Sequence, residues 1–391
     1  MRFAVTALLL LHGAIHLLGF VKWLGLAPVP QLNGRTLLSL SPAAARVFGF
    51  RWLTAFLFFV AAAAMHALRQ DAWWIPAIGG VLLSQGLIVL AWHDAKSGTL
   101  ANLMILMPAT LAAAHAHFEQ QVDREVRELL AGVSVSHTSI VQRDELAPLP
   151  TPVRTWLEAS GIVGRERARA VRLKQRGLLR TSPDGAWMPA QAEQYFSVSE
   201  PGFIWRVDTT MMGLLPISGR DKYFAGKGEM LIKAGSLVNI VHAADEKIDL
   251  GAMLRFLGET VWFPSAALSS YIKWEPLDAT QAKATMRYAG LTVSASFSFS
   301  VEGRVLGIQA ERYLGGGTDA RLTPWWVHCL EWRTVRGVEI PTRGDVVWKL
   351  PGRDFDYYRW EILDAESNSP QLYGGGAANR STQTLPLSAK F

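Results

Sequence analysis

One cysteine, Cys329, stands in 391 residues, so no intrachain disulfide can form and a cysteine-based redox or zinc motif is excluded. Charge is scarce in the first third. From Met1 to Phe118 the charged side chains are Arg2, Lys22, Arg35, Arg46, Arg51, Arg69, Asp71, Asp94 and Lys96, and beyond Glu119 charge density is that of a soluble protein. The net charge of +6 is small and spread out, which argues against a nucleic-acid partner. No nucleophile elbow, P-loop or complete dinucleotide fingerprint occurs; "GKG" at Gly226–Gly228 lacks a third glycine and opens no helix. H-E-x-x-H is missing too. These absences argue against an enzyme without excluding one, and no cofactor is expected.

What the first third does have is apolar length. Four stretches, about Phe3–Leu26, Trp52–Leu68, Trp73–Trp92 and Leu100–Phe118, approach the roughly 20 residues a bilayer core requires. Trp23, Trp52, Trp73, Trp74 and Trp92 mark their ends, at headgroup level. A cleaved signal peptide fits the first stretch poorly, because its apolar run is too long and no small-x-small site follows. The expectation is a transmembrane four-helix domain over residues 1–131. The connection carrying Lys22, Arg35, Arg46 and Arg51 contains no acid, which places it in the cytoplasm and the soluble domain on the extracytoplasmic side of a bacterial inner membrane.

Six of nine histidines lie in this part. His12 and His16 share one helix face at mid-span, while His66, His115 and His117 end spans on one membrane face. Neutral imidazoles so placed bridge helices by hydrogen bonds; the sharper alternative is a haem or metal held by His66, His115 and His117. The segment after span four, "FEQQVDREVRELLAG", continues the helical period with Val122, Val126, Leu129 and Leu130 on one face and Gly132 as its stop.

"LHGAIHLLGF" (Leu11–Phe20), "SQGLIVLAWHDAKSGTLANLMIL" (Ser84–Leu106), "PVRTWLEASG" (Pro152–Gly161), "GRDKYFAGKGEM" (Gly219–Met230) and "LGETVWFP" (Leu257–Pro264) resemble an uncharacterised bacterial membrane-protein family. The resemblance covers roughly Met1–Asp364. It implies a helical bundle joined to a soluble domain of unknown function and supplies no catalytic residue.

Residues 132–152, rich in Ser, Thr and Pro, read as a linker. Residues 153–366 read as an antiparallel β-rich domain, from β-branched or aromatic runs between Arg169 and Leu350 parted by short turns. One helix interrupts them, about Leu250–Glu259. The fold class is therefore a membrane helical bundle plus an α+β domain, a curved antiparallel sheet or open barrel over one or two helices. Such an architecture is similar to the bacterial lipoprotein-carrier fold, an analogy that does not establish function. Residues 367–391 read as a disordered tail.

Aromatic residues crowd the β domain. A curved sheet closed by a helix can enclose an apolar space lined by aromatics and a few polar groups. Trp205, Arg220, Asp221, Tyr223, Glu259, Trp262 and Trp326 are the candidate ligand-binding residues, with Arg220 at the polar mouth. Glu259 ends an apolar helix, where the macrodipole disfavours a carboxylate, so Arg220 or Arg312 is its expected charge partner. Arg172, Lys174 and Arg176 share a strand face suited to anionic lipid headgroups. The leading function is membrane-tethered binding of a hydrophobic small molecule, a lipid in the first place, with membrane lipids as partners. A membrane-associated hydrolase or histidine-based redox enzyme, and an envelope scaffold, are the alternatives.

Overall fold

The computed structural model describes residues 2–133 and 139–374, in two compact units, Met1–Glu119 and Gln120–Leu372. The division falls inside a helix rather than at residue 131. Part of the expected linker (134–138) and the tail from residue 375 onward lie outside the described residues.

In the first unit, α1 (Arg2–Leu24), α2 (Pro42–Ala67), α3 (Trp74–Leu90) and α5 (Gly98–Ala131) are joined by short connections that include the single turn α4 (Trp92–Ala95). Among the described residues, α1, α2, α3 with its preceding 3-10 turn, and α5 are long and apolar enough to cross a membrane. Ser41 caps α2 by accepting from the Ala44 amide, and Pro42 follows at its first position, where a missing N–H costs nothing. The span therefore begins about ten residues before Trp52, the start expected from hydropathy. Helices α1 and α2 approach closely: a Cβ on Gly19 would stand 2.4 Å from the Trp52 ring. The mid-span histidines are fully buried and bridge helices. His12 Nε2 lies 2.8 Å from Asn102 Oδ1, and His16 Nε2 lies 2.9 Å from Ser84 Oγ. Neutral side chains joined across helices satisfy polar groups that lipid cannot.

In the second unit a sheet of thirteen described strands is antiparallel throughout and curls into a half-barrel. The strands are β1 (Ala170–Leu179), β2 (Met188–Ser197), β3 (Gly202–Met211), β4 (Leu215–Phe224), β5 (Lys227–Ala234), β6 (Val238–Ala243), β7 (Ile272–Pro276), β8 (Gln281–Tyr288), β9 (Leu291–Phe299), β10 (Val305–Leu314), β11 (Arg321–Val335), β12 (Val338–Leu350) and β13 (Arg353–Ser367). Their order is 6-5-4-3-2-1-13-12-11-10-9-8-7. Two meanders thus meet where the first strand pairs with the last. Strands β4 and β5 form a tight hairpin, because Ala225 and Gly226 both take positive φ and turn the chain back.

Period-two alternation sends Val171, Phe196, Phe203 and Tyr223 to the concave face, with α7 (Glu246–Glu259) and the 3-10 turns Thr260–Trp262 and Pro264–Leu268 against them. Phe196 meets Phe263 at 4.7 Å between ring centroids, and α6 (Thr151–Ala159) adds Trp156 against Phe299. The described part of the expected linker is not free: Ile140 bridges Glu166, and Val141 and Leu146 are fully buried.

Two aspartates sling α7 between hairpins. Asp245 caps it, accepting from the amides of Lys247 (2.8 Å) and Ile248 (3.0 Å), and also from Gly317 in the β10–β11 turn (2.7 Å). Asp249 accepts from the Gly228 amide (2.6 Å) and Lys227 Nζ (2.8 Å) in the β4–β5 turn. A Cβ on Gly228 would stand 2.6 Å from the Ile248 carbonyl oxygen, so only glycine lets helix and strand approach this closely.

Candidate functional site

On the concave face a belt of polar side chains crosses the otherwise apolar core. Trp205 Nε1 and the Tyr358 hydroxyl both donate to Gln175 Oε1, at 3.1 and 3.2 Å. Gln175 Nε2 donates to Gln194 Oε1 (3.1 Å), and Gln194 Nε2 to Glu259 Oε2 (2.8 Å). Arg255 completes the belt, donating through Nε to Glu259 Oε1 (2.8 Å) and through Nη1 to Asp221 Oδ2 (2.6 Å). Its guanidinium carbon lies 4.9 Å from the Phe203 ring and 4.8 Å from Trp205. One guanidinium therefore serves two carboxylates in a nearly dry site. Burial pushes the Glu259 carboxyl up and the Asp221 charge adds to this; Arg255 and the Gln194 hydrogen bond oppose without cancelling it. Burial works against the Arg255 charge, but Glu259 and Asp221 outweigh it, so Arg255 stays a cation.

Beside the belt the sheet itself parts. Strands β9 and β10 pair from Phe299/Val305 to Ser296/Gln309, and among the described residues no ladder pair joins them further on. The stretch Leu291–Ala295 stays on β8, while Ala310–Leu314 follows β11. Between them opens a cavity of about 560 Å³, bounded on the helix side by Leu250, Gly251 and Leu254 and lined by Ala310, Arg312 and Trp326. That volume lies within the range of about 300–1,000 Å³ usual for small-molecule sites. A second cavity of about 470 Å³ lies against Trp262, Ile162, Ile340 and Arg336.

The residues singled out from sequence separate accordingly. Trp205, Asp221 and Glu259 come together in the belt. Tyr223 is fully buried on the same face against Phe203 and Phe256, where burial raises its phenol pKa. Its hydroxyl has no hydrogen-bond partner among the described residues. Trp262 packs edge-on against Trp360 (5.3 Å) at the second cavity. Trp326 lines the first cavity with Lys349 4.2 Å above its ring. Arg220 stands elsewhere. Adjacent strand residues face opposite ways, so Arg220 emerges on the convex face, 1% exposed, paired with Glu125 (3.0 Å) and Glu229 (2.8 Å). It does not line the cavity, and neither it nor Arg312 partners Glu259; the partner is Arg255, one helical turn back.

His66, His115 and His117 do not form a group of ligand atoms among the described residues; His66 Nδ1 lies 2.8 Å from Thr6 Oγ1. Arg172 and Arg176 do not present a free basic face, since Glu366 and Glu361 of β13 pair with them. Cys329 is buried, and burial with the nearby Asp345 charge pushes its thiol up to about 12, so it is no nucleophile. Sequence reasoning missed Gln175, Gln194, Arg255 and the cavity role of Arg312. The four-residue spacing of Arg255 and Glu259 on a helix was the available signal.

Comparison with known proteins adds the following. Residues 139–360 match the model of a family of unknown function, DUF6544. No curated protein matches the chain. Solved structures to which the chain is similar include a DUF1329 family protein from Desulfovibrio piger, at 9% identity over 59% of this chain and 96% of that one, with a TM-score of 0.34. A LolA superfamily protein from Nitrosomonas europaea is similar at 12% identity over 58% of this chain and 96% of that one, with a TM-score of 0.30.

Proposed function

The chain belongs to the DUF6544 family, whose function is not established, and from that premise we propose that its β-rich unit binds an apolar ligand of the lipid class beside a bacterial inner membrane. The observation that carries this reading is the cavity between the parted strands β9 and β10, with α7 as its inner wall. Backbone groups along the parted strands can be met by water, so the parting leaves room between β9 and β10 without unfolding the sheet. Leu250, Leu254, Val293 and Ala310 give that opening an apolar side, and Ser294, Gln309 and Glu311 a polar one.

The test is paired. Organic extracts of the purified full-length protein are analysed by mass spectrometry beside an unrelated four-helix membrane protein, and Ala310→Phe is compared with the parent. A phenyl group placed in open space should leave the melting temperature unchanged or higher and sharply lower the retained lipid. In closed packing the same change would cost about 1–3 kcal/mol. Lipid no greater than in the control protein, or equal in parent and variant, would refute the reading.

We further propose that the β-rich unit lies on the extracytoplasmic side, a reading supported by the acid-free basic connection between α1 and α2. A periplasm-active reporter fused after Pro150 should then be active. Activity of a cytoplasmic reporter at the same point would reverse the orientation.

A further inference from the structure

Several polar side chains line the first cavity, Lys283, Gln309 and Glu311 among them, and one is an arginine with no carboxylate partner among the described residues. Arg312 is half-buried, and its Nε donates to the Gly251 carbonyl of α7 at 3.2 Å. Its guanidinium carbon lies 5.2 Å from the Trp325 ring and 5.6 Å from Trp348. Among the described residues no carboxylate pairs with it, and its two terminal nitrogens have no hydrogen-bond partner. The carboxylates nearby are already committed: Asp221 and Glu259 to Arg255, Asp249 to Lys227, and Asp245 to the helix cap. Glu311, next in the strand, also lines the cavity, but it is exposed and projects from the opposite side of the strand, and among the described residues no ion pair joins it to Arg312.

Other arginines of the same unit are paired: Arg206 of β3, Arg220 of β4 and Arg255 of α7 are each held by two carboxylates at 3.0 Å or less. Arg336, at the second cavity, is likewise paired with Asp364 and Glu366. Burying a cation without a counter-charge is costly, and stacking on two indoles returns only part of that cost. A guanidinium has five N–H donors in a planar fork that matches a carboxylate or phosphate edge-on. With Nε used on Gly251, the terminal nitrogens are left to meet a ligand.

We infer that the cavity takes an amphiphile bearing a single negative charge, its carboxylate or phosphodiester seated on Arg312 and its hydrocarbon chain along Leu250, Leu254 and Ala310. The inference rests on the lipid-binding reading and adds to it the sign and position of the head group. One arginine matches one negative charge. Because Arg312 also holds the Gly251 carbonyl, a ligand that engages it touches α7 directly, so head-group binding and the position of the covering helix are linked.

The experiment uses the full-length protein in amphipol, with palmitate, hexadecanol and lysophosphatidylglycerol as probes and binding measured by calorimetry. The parent should bind both anionic probes at least tenfold tighter than hexadecanol. Arg312→Gln should bring all three to similar affinity while leaving hexadecanol unchanged, and Arg312→Lys should keep part of the preference. Lys283→Gln, which removes an exposed cation at the rim of the same cavity, should change nothing. If Arg312→Gln does not fold, as judged by its melt, Arg312→Met keeps the stem against the indoles and takes its place. An anionic preference that survives loss of the Arg312 charge, or that disappears with Lys283, overturns the inference and leaves the lipid reading standing. Equal binding of all three probes by the parent does the same. Failure of the parent to bind any probe removes both.

Discussion

Replacing Arg255 with methionine tests the belt most directly. Methionine keeps an apolar stem against Phe203 and Trp205 and deletes the charge between Asp221 and Glu259. The side chains of Arg255, Asp221 and Glu259 are 16%, 8% and 11% exposed, so water can replace little of what is lost. Removing one partner from a buried ion cluster costs about 3–5 kcal/mol, because the carboxylates stay behind without compensation. For a unit of this size each kcal/mol moves the melting temperature by about 2–4 °C, so the variant should melt roughly 6–20 °C below the parent near pH 7.5. The loss should also depend on pH in a definite sense. The folded Glu259 carboxyl titrates above its unfolded value even in the parent, so the folded state holds this proton more tightly than the unfolded one. Such a group contributes most below the unfolded pKa and loses its contribution as pH rises through the folded pKa. Without Arg255 the shift grows, so the gap between variant and parent should narrow toward pH 5 and widen toward pH 8. Thermal melts by circular dichroism at the two pH values measure it. A variant within 2 °C of the parent at pH 7.5, or a gap equal at both pH values, would show that the three charges are not coupled as described.

On the convex face, Arg220→Ala leaves Glu125 and Glu229 with Lys222 and should cost less than the roughly 3–5 kcal/mol of an uncompensated buried charge, without changing lipid retention. Burial pushes the Glu229 carboxyl up, but Arg220 and Lys222 outweigh it and hold the group down at about 2. Its stabilisation is complete above the unfolded value of about 4.5 and disappears as pH falls toward 2, so the parent should lose stability over that window and Arg220→Ala should lose less. Equal acid sensitivity of parent and variant in thermal melts would refute the pairing.

The sequence carried the membrane helices, the β-rich unit and α7, because apolar length, period-two alternation and a capped 3.6-residue period are local signals. It concealed what depends on register. Strand β13 escaped notice because Asp354, Asp356, Arg359, Glu361 and Asp364 break its apolar run. Only when β13 lies beside β1 do Glu361 and Glu366 reach Arg176 and Arg172, which explains both the charges here and the basic face there. Arg220 and Asp221, neighbours in sequence, read as members of one site, yet β4 points them to opposite faces of the sheet. The belt was hidden for a related reason: Gln175, Gln194 and Glu259 lie far apart in the chain and have no motif to betray them. The cavity depends on where a ladder stops, and no residue pattern announced that.

The pairing of β1 with β13 has a consequence for synthesis. As the chain leaves the ribosome, β1 to β6 can zip into one meander, and β7 to β12 into another, from neighbours in sequence. The seam between them must wait, because Val171 pairs with Ser367 and the last strand is the last made. Closing a loop of that length delays folding far more than it weakens the finished sheet. Until then β1 is an exposed edge, with Arg172, Lys174 and Arg176 spaced along it as like charges that discourage pairing with another chain. The same ladder that seals the finished sheet thus guards its unfinished edge during translation.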